Sequence, residues 1–220
     1  MSKGVAAMSH NSPIAVEGLP FIGISAVLTV LFFSLGLSFL GILLTLATLF
    51  ILWFFRNPQR TIPTDPRNVV SPADGKVIRI EEIENHDLYP GPSTKISIFM
   101  NVFNVHVNRA PCAGRVEAVR YDPGRFLSAN LDKASAENER NAVLIKMPDE
   151  RRLLTIQIAG LIARRIVCWV NPGVQISQGE RFGMIRFGSR LEVFMPRDTK
   201  TLVVLGQKVR AGESVLGELT

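Results

Sequence analysis

From Gly18 to Phe55 the chain runs for 38 residues without a charged side chain, GLPFIGISAVLTVLFFSLGLSFLGILLTLATLFILWFF. Nothing else in the sequence limits the fold as strongly. One membrane-crossing helix needs about 20 residues, so the run is too long for one straight span and short for two complete ones. A helical hairpin turning near Ser34-Leu35-Gly36 or Ser38-Phe39-Leu40-Gly41 fits best. A single long tilted helix and a hairpin dipping into one leaflet stay open. A secretory signal is disfavoured, because its apolar part is at most about 15 residues long and ends at a small-residue cleavage site. A pair of buried core helices is disfavoured too, since such helices rarely lack a polar face.

The run ends in Trp53-Phe54-Phe55-Arg56-Asn57-Pro58-Gln59-Arg60, and Lys3 is the only lysine or arginine before it. Aromatic residues followed by arginines mark a helix leaving the bilayer on the cytoplasmic side. The expected location is therefore the cell membrane, with the rest of the chain on its cytoplasmic face. A net charge of +6 and a pI near 9.7 suit an anionic membrane surface. No nucleic-acid partner is expected, because Lys and Arg are scattered and no recognition motif occurs. Cys112 and Cys168 form no C-x-x-C and have no clustered histidines, so no disulfide framework and no metal site are expected.

After Pro58 the pattern changes to short runs punctuated by Gly and Pro. Val77–Ile80, Lys95–Phe99, Val116–Val119, Ala142–Ile145, Leu153–Ile158 and Ile166–Val170 read as strands, and Ser128–Arg140 as a polar loop. The expected division is a polar tail over residues 1–18, an apolar anchoring segment over 19–56 and a β-rich domain over 57–220. Ser71-Pro72-Ala73-Asp74-Gly75-Lys76-Val77 is echoed by Ala110-Pro111-Cys112-Ala113-Gly114-Arg115-Val116. Likewise Val174–Glu180 (VQISQGE) is echoed by Gln207–Glu213 (QKVRAGE). Units of the V-x-x-G-E kind form the hairpins of lipoyl- and biotinyl-type folds. The expected class is mainly β, a compact sandwich or barrel with such hairpin units, preceded by the apolar α-helical membrane segment. A carrier role is disfavoured, because Lys208 lacks the context of a modified lysine.

Gly188-Ser189 interrupts the strand-like run GMIRFGSRLEVFMP. A tight bulge would explain it, and so would a peptide bond that is itself a reactant. Self-cleavage there needs the serine Oγ to reach the preceding carbonyl carbon, which a glycine permits, and a base to take the hydroxyl proton. His10 lies in the tail and His86 in a turn-rich stretch. His106 lies in the alternating run Asn101–Arg109, where Asn104, His106 and Asn108 share one face and Phe103, Val105 and Val107 the other. Asp74, fixed at a turn before a strand, is the candidate acid, although Asp-Gly is also an ordinary turn signal.

The combination resembles the short, bacterial-type phosphatidylserine decarboxylase proenzymes. The apolar segment ending in FFRNPQR, then VVSPADGKV, MNVFNVHVNRAP and FGSRLEVFMP follow in that family's order and spacing. The resemblance implies that Ser189 attacks the Gly188 carbonyl, splitting the chain into a β chain, 1–188, and an α chain, 189–220. It further implies that Ser189 becomes a covalent pyruvoyl group, the only cofactor, on which phosphatidylserine is decarboxylated to phosphatidylethanolamine. Asp74 aligns with the carboxylate of an Asp-His-Ser relay. Longer members carry H-x-x-H before a proline; here His106 holds the first position and Arg109 the second. They also have Leu-Gly-Ser-Thr where this chain has Phe-Gly-Ser-Arg. Arg190 and Arg109 are candidate substrate-binding cations, Arg190 equally a solvated strand-edge charge. The expected partners are a phospholipid and the membrane surface, with room for a homo-oligomer. The competing readings are a pyruvoyl-dependent decarboxylase of another amine and a membrane-tethered, lipoyl-like binding module without chemistry.

Overall fold

The structure is a computed structural model and describes residues 10–125, 137–160, 165–186 and 189–220. It divides into two compact units, Met1–Gln59 and Arg60–Thr220. Most of the expected Ser128–Arg140 loop lies outside the described residues, as does Gly188.

In the first unit the apolar run forms a helical hairpin, α1 (Leu19–Ser34) and α2 (Ser38–Phe54). The turn falls at Leu35-Gly36-Leu37, the first of the two expected places. At 1.5 Å per residue the helices of 16 and 17 residues extend about 24 and 26 Å, against a hydrocarbon core of about 30 Å. Ser25 and Thr48 hydroxyls pair between the helices at 2.7 Å, and the ring of Phe33 packs on Gly41. Most of the other apolar side chains face outward, as they would in a lipid environment.

The second unit is built from β1 (Asn68–Val70), β2 (Gly75–Ile83), β3 (Ser93–Met100), β4 (Val107–Arg109), β5 (Gly114–Asp122), β6 (Arg140–Lys146) and β7 (Arg152–Ala159). It continues with β8 (Ile166–Cys168), β9 (Gln175–Ile176), β10 (Arg181–Ile185), β11 (Ser189–Pro196), β12 (Lys200–Thr201), β13 (Lys208–Val209) and β14 (Val215–Glu218). The mainly β class holds, and all six expected strands form. An eight-stranded antiparallel sheet runs β13-β2-β3-β11-β7-β6-β5-β9. Two small sheets, β1-β14-β12 and β4-β10-β8, supply Val69, Leu216, Phe182 and Ile185 to the core that also contains Val77, Ile98, Leu191 and Val193 of the large sheet. A second, smaller core with Tyr89, Ile156 and Phe194 covers the opposite face.

The sequence echo is a real structural repeat. Reading outward from the β11–β7 pair, β3, β2 and β13 on one side correspond to β6, β5 and β9 on the other. Gly75 opens β2 and Gly114 opens β5, and a Cβ at either would collide with a neighbouring backbone carbonyl, of Phe99 or Lys146. The register slips at the same place in both halves, between Val77 and Arg79 and between Val116 and Ala118. A short run of glycine, proline and basic residues thus sets two equivalent crossings.

Candidate active site

Ser189 is the first residue of β11, an interior strand, and pairs with Met100 of β3 and Ala159 of β7. It is fully buried, and its Oγ donates to the Met100 sulfur at 3.4 Å. Strand alternation puts Leu191, Val193 and Met195 on the same face, in the main core.

His106 is brought to this region by β4. That strand pairs with β10, which leads through residues 186–188 to Ser189, and the His106 carbonyl accepts from Ile185 N at 3.3 Å. The ring is fully buried, with Nδ1 2.9 Å from the Asn104 carbonyl oxygen. A carbonyl can only accept, so Nδ1 carries a proton, and in the neutral form of such a ring the lone pair is on Nε2. The expected unbroken alternation over Asn101–Arg109 does not form. Asn101 and Asn104 side chains accept from Phe103 N and Asn101 N, each at 2.9 Å, and build a turn. Phe103 is thereby thrown outward at 65% exposure while Val105 and Val107 stay buried. Local asparagine hydrogen bonds have outcompeted the strand.

Asp74 is buried at the turn before β2. Its carboxylate accepts from Arg60 Nη2 at 3.1 and 2.9 Å and from Ala211 N at 2.8 Å. The histidine ring is held by Asn104 and not by this carboxylate. The repeat helps to interpret the residue: Ala113 occupies the equivalent place in the other half, so the turn itself does not require an aspartate. Arg60 also donates to Glu213 at 3.2 Å. Arg109, likewise buried, donates to the Gly179 carbonyl at 2.8 Å. Burial, then Arg181 and Arg60, bring its pKa down to about 10, against the pull of Asp74 and Glu213. Asp74 and Arg109 therefore belong to one buried ionic cluster, and β4 is tied to the Asp74 turn by Arg109 N donating to Pro72 O at 2.9 Å.

Arg190 neither joins Ser189 nor sits at a solvated edge. Period-two alternation sends it to the opposite face, where it is 1% exposed and 3.5 Å from Glu192, itself hydrogen-bonded to Ser97. Burial lowers its pKa, with Glu192 opposing. The second face also carries a cavity of about 200 Å³ lined by His86, Lys95, Arg140, Glu192 and Phe194.

Sequence reasoning missed a buried carboxamide chain that ends at the Met100 sulfur, the acceptor of the serine hydroxyl. Asn141 Nδ2 donates to Gln157 Oε1 at 2.9 Å, and Gln157 Nε2 to Asn108 Oδ1 at 2.8 Å. Asn108 Nδ2 then points at the same Met100 sulfur, 3.8 Å away, that receives Ser189. No member is more than 3% exposed. The available signal was a glutamine inside the strand LLTIQIA, whose only other polar residue is Thr155. Of the thiols, Cys112 is buried and pushed up to about 12, and Cys168 is half-buried and also raised, both chiefly by burial. Both are free, and no metal-binding cluster of His, Cys, Asp or Glu occurs among the described residues.

The sequence model of the phosphatidylserine decarboxylase family matches residues 47–217. The phosphatidylserine decarboxylase proenzyme of Syntrophus aciditrophicus (strain SB) is 60% identical, covering 96% of this chain and 99% of its own length. Proenzymes of the same name from Desulfotalea psychrophila and Cupriavidus metallidurans are 48% and 47% identical, over 94% and 96% of this chain and 97% and 98% of their own.

Proposed function

The chain belongs to the phosphatidylserine decarboxylase family, and from that premise we propose that it converts phosphatidylserine to phosphatidylethanolamine with a pyruvoyl group made from its own Ser189. The observation that carries the reading is the placement of Ser189, buried and paired on both sides at the start of an interior strand. A residue held this way stays in the sheet after the bond before it is cut. The new N-terminus of the α chain therefore remains fixed without its covalent link, which is what a chain-terminal prosthetic group at position 189 requires.

In the first stage Ser189 Oγ adds to the Gly188 carbonyl carbon and displaces its own amide nitrogen, giving an ester. Loss of a proton from Cα expels Gly188 as a free carboxylate and leaves dehydroalanine, whose hydrolysis releases ammonia. His106, with its lone pair on Nε2, is the proposed base for the hydroxyl proton. Asn104 holds the ring in that tautomer through Nδ1. The thioether of Met100 is a weak acceptor, so it orients the hydroxyl of Ser189 without competing strongly for its proton. Asp74 is proposed as the acid of the relay, supplying negative charge near β4 that the turn alone does not need. The pyruvoyl group supplies a carbonyl that condenses with the substrate amine and accepts electrons as carbon dioxide leaves.

The substrate resides in a bilayer, and the apolar hairpin α1–α2 is the proposed membrane anchor. The arginines at its end favour a catalytic domain, residues 57–220, on the cytoplasmic face. Denaturing electrophoresis and mass spectrometry of purified protein test the reading. The expected products are chains of 188 and 32 residues, the short one blocked at its N-terminus. Ser189→Ala should remain full length and release no carbon dioxide from phosphatidylserine. Activity from an intact wild-type chain would sink the proposal.

A further inference from the structure

The apolar side chains left exposed on the second unit are concentrated at loop tips. Leu202, Val204 and Leu205 are 45%, 68% and 67% exposed in the turn between β12 and β13. The turn is well built: Val204 N donates to Gln207 Oε1 at 3.0 Å, Gln207 N to Val204 O at 3.1 Å and Gly206 N to Val77 O at 2.8 Å. Val203, between the exposed residues, is anchored in the core at 4% exposure. The apolar side chains cannot fold back under such a frame.

The internal repeat supplies a control. In the other half Gly173 N donates to Val116 O at 2.7 Å and Val174 N to Asn171 O at 3.3 Å, with Gly173 at φ 93° where Gly206 is at 87°. The same backbone turn there carries Asn171-Pro172 where this one carries Val204-Leu205. The fold is therefore satisfied by a polar, rigid tip, and the valine and leucine have another cause. Lys76, whose Cε approaches Gly206, and Lys208, its partner on β13, are exposed beside the apolar tip and make no ion pair among the described residues. Lys208 pairs with Lys76, Lys76 with Phe99, and Phe99 with Arg190. Three inter-strand steps of about 4.8 Å place β13 about 15 Å from β11 at the level where Ser189 begins. Phe103, the other strongly exposed tip, follows β3 at this same end.

We propose that the turn over Leu202–Leu205, with Lys76 and Lys208 around it and Phe103 at the same end of the sheet, is an interfacial contact with an anionic bilayer, separate from the apolar hairpin. Apolar side chains ringed by unpaired lysines match the acyl boundary and negative headgroups of such a leaflet. The contact would hold the Ser189 end of the sheet against the surface that presents the substrate, and its catalytic consequence rests on the lipid-decarboxylase reading.

The test uses the full chain reconstituted in vesicles of phosphatidylcholine, alone or with phosphatidylglycerol, which the enzyme is not proposed to consume. In Leu205→Trp, fluorescence beyond that of Trp53 and Trp169 should be blue-shifted and quenched by brominated acyl chains. It should do so when phosphatidylglycerol is present, and Lys76→Glu/Lys208→Glu should abolish the effect. The graft Val204→Asn/Leu205→Pro copies the other hairpin and should fold and self-cleave normally. Its apparent KM should rise about tenfold for substrate in phosphatidylglycerol vesicles but not for detergent-dispersed substrate. Water-like emission in both kinds of vesicle overturns the proposal. Shielding in detergent that grows with protein concentration overturns it too, by revealing a protein contact instead. The fluorescence readout needs no turnover, so its failure and a failure of the decarboxylase reading are separable.

Discussion

Arg60→Met should destabilise the β-rich unit by about 3 kcal/mol, and Asp74→Asn should reverse most of that loss. Arg60 donates twice to Asp74 and once to Glu213, and its side chain and that of Asp74 are only 8% and 12% exposed. Removing one partner of a buried pair costs about 3–5 kcal/mol, because the other charge is stranded in a poor solvent. Asp74 keeps the Ala211 N–H and lies near Arg109, which places the cost at the lower end of that range. With a urea slope of about 2 kcal/mol/M, the midpoint should fall by about 1.5 M. The measurement belongs in a Ser189→Ala background, so that one uncut chain unfolds. In Arg60→Met/Asp74→Asn neither member of the pair is left charged, and about 2 kcal/mol should return as a coupling between the sites. An unchanged midpoint in Arg60→Met, or single losses that simply add, would refute the assignment of these two groups as a mutually dependent pair. The same double variant with Ser189 intact separates stability from chemistry. It should fold yet cut slowly; cutting at the wild-type rate would remove Asp74 from the relay and leave it a purely structural charge.

Two further expectations follow from the buried polar groups. Gln157→Leu leaves Asn141 Nδ2 and Asn108 Oδ1 without their partners, at about 1–3 kcal/mol each, so urea unfolding should show a loss of roughly 2–6 kcal/mol. Replacing all three carboxamides by Leu should cost less than the single change, and a larger loss in the triple variant would contradict the network. His86 has its pKa lowered, chiefly by burial, and its Nδ1 accepts from Leu88 N at 3.2 Å while the ring lies 4.5 Å from that of Phe194. The unfolded chain therefore binds the proton first as pH falls below about 6.5, and stability should decline from there down to the folded-state pKa. His86→Gln should flatten that part of the unfolding-midpoint profile between pH 7.5 and pH 5; an identical slope in both proteins would refute it.

Much of this architecture was written locally in the chain. The apolar run favoured helices with outward-facing apolar surfaces, and alternating β-branched runs favoured strands. The paired Pro-x-x-Gly-basic-Val segments announced the repeat because each glycine marks a backbone crossing that admits no side chain. The same kind of local reasoning marked Ser189, His106 and Asp74 as the residues to watch. What it could not supply was partners across the sheet. Only register decides that Arg190 turns away from Ser189, that Arg60 claims Asp74, and that Gln157 bridges Asn141 to Asn108. At Asn101–Asn104 two side-chain hydrogen bonds overrode a convincing alternation and exposed Phe103. Periodicity is a property of neighbours along the chain, and it fixes which elements form. Buried charge and hydrogen bonding are satisfied between segments far apart in sequence, and their pairing exists only once the sheet has closed.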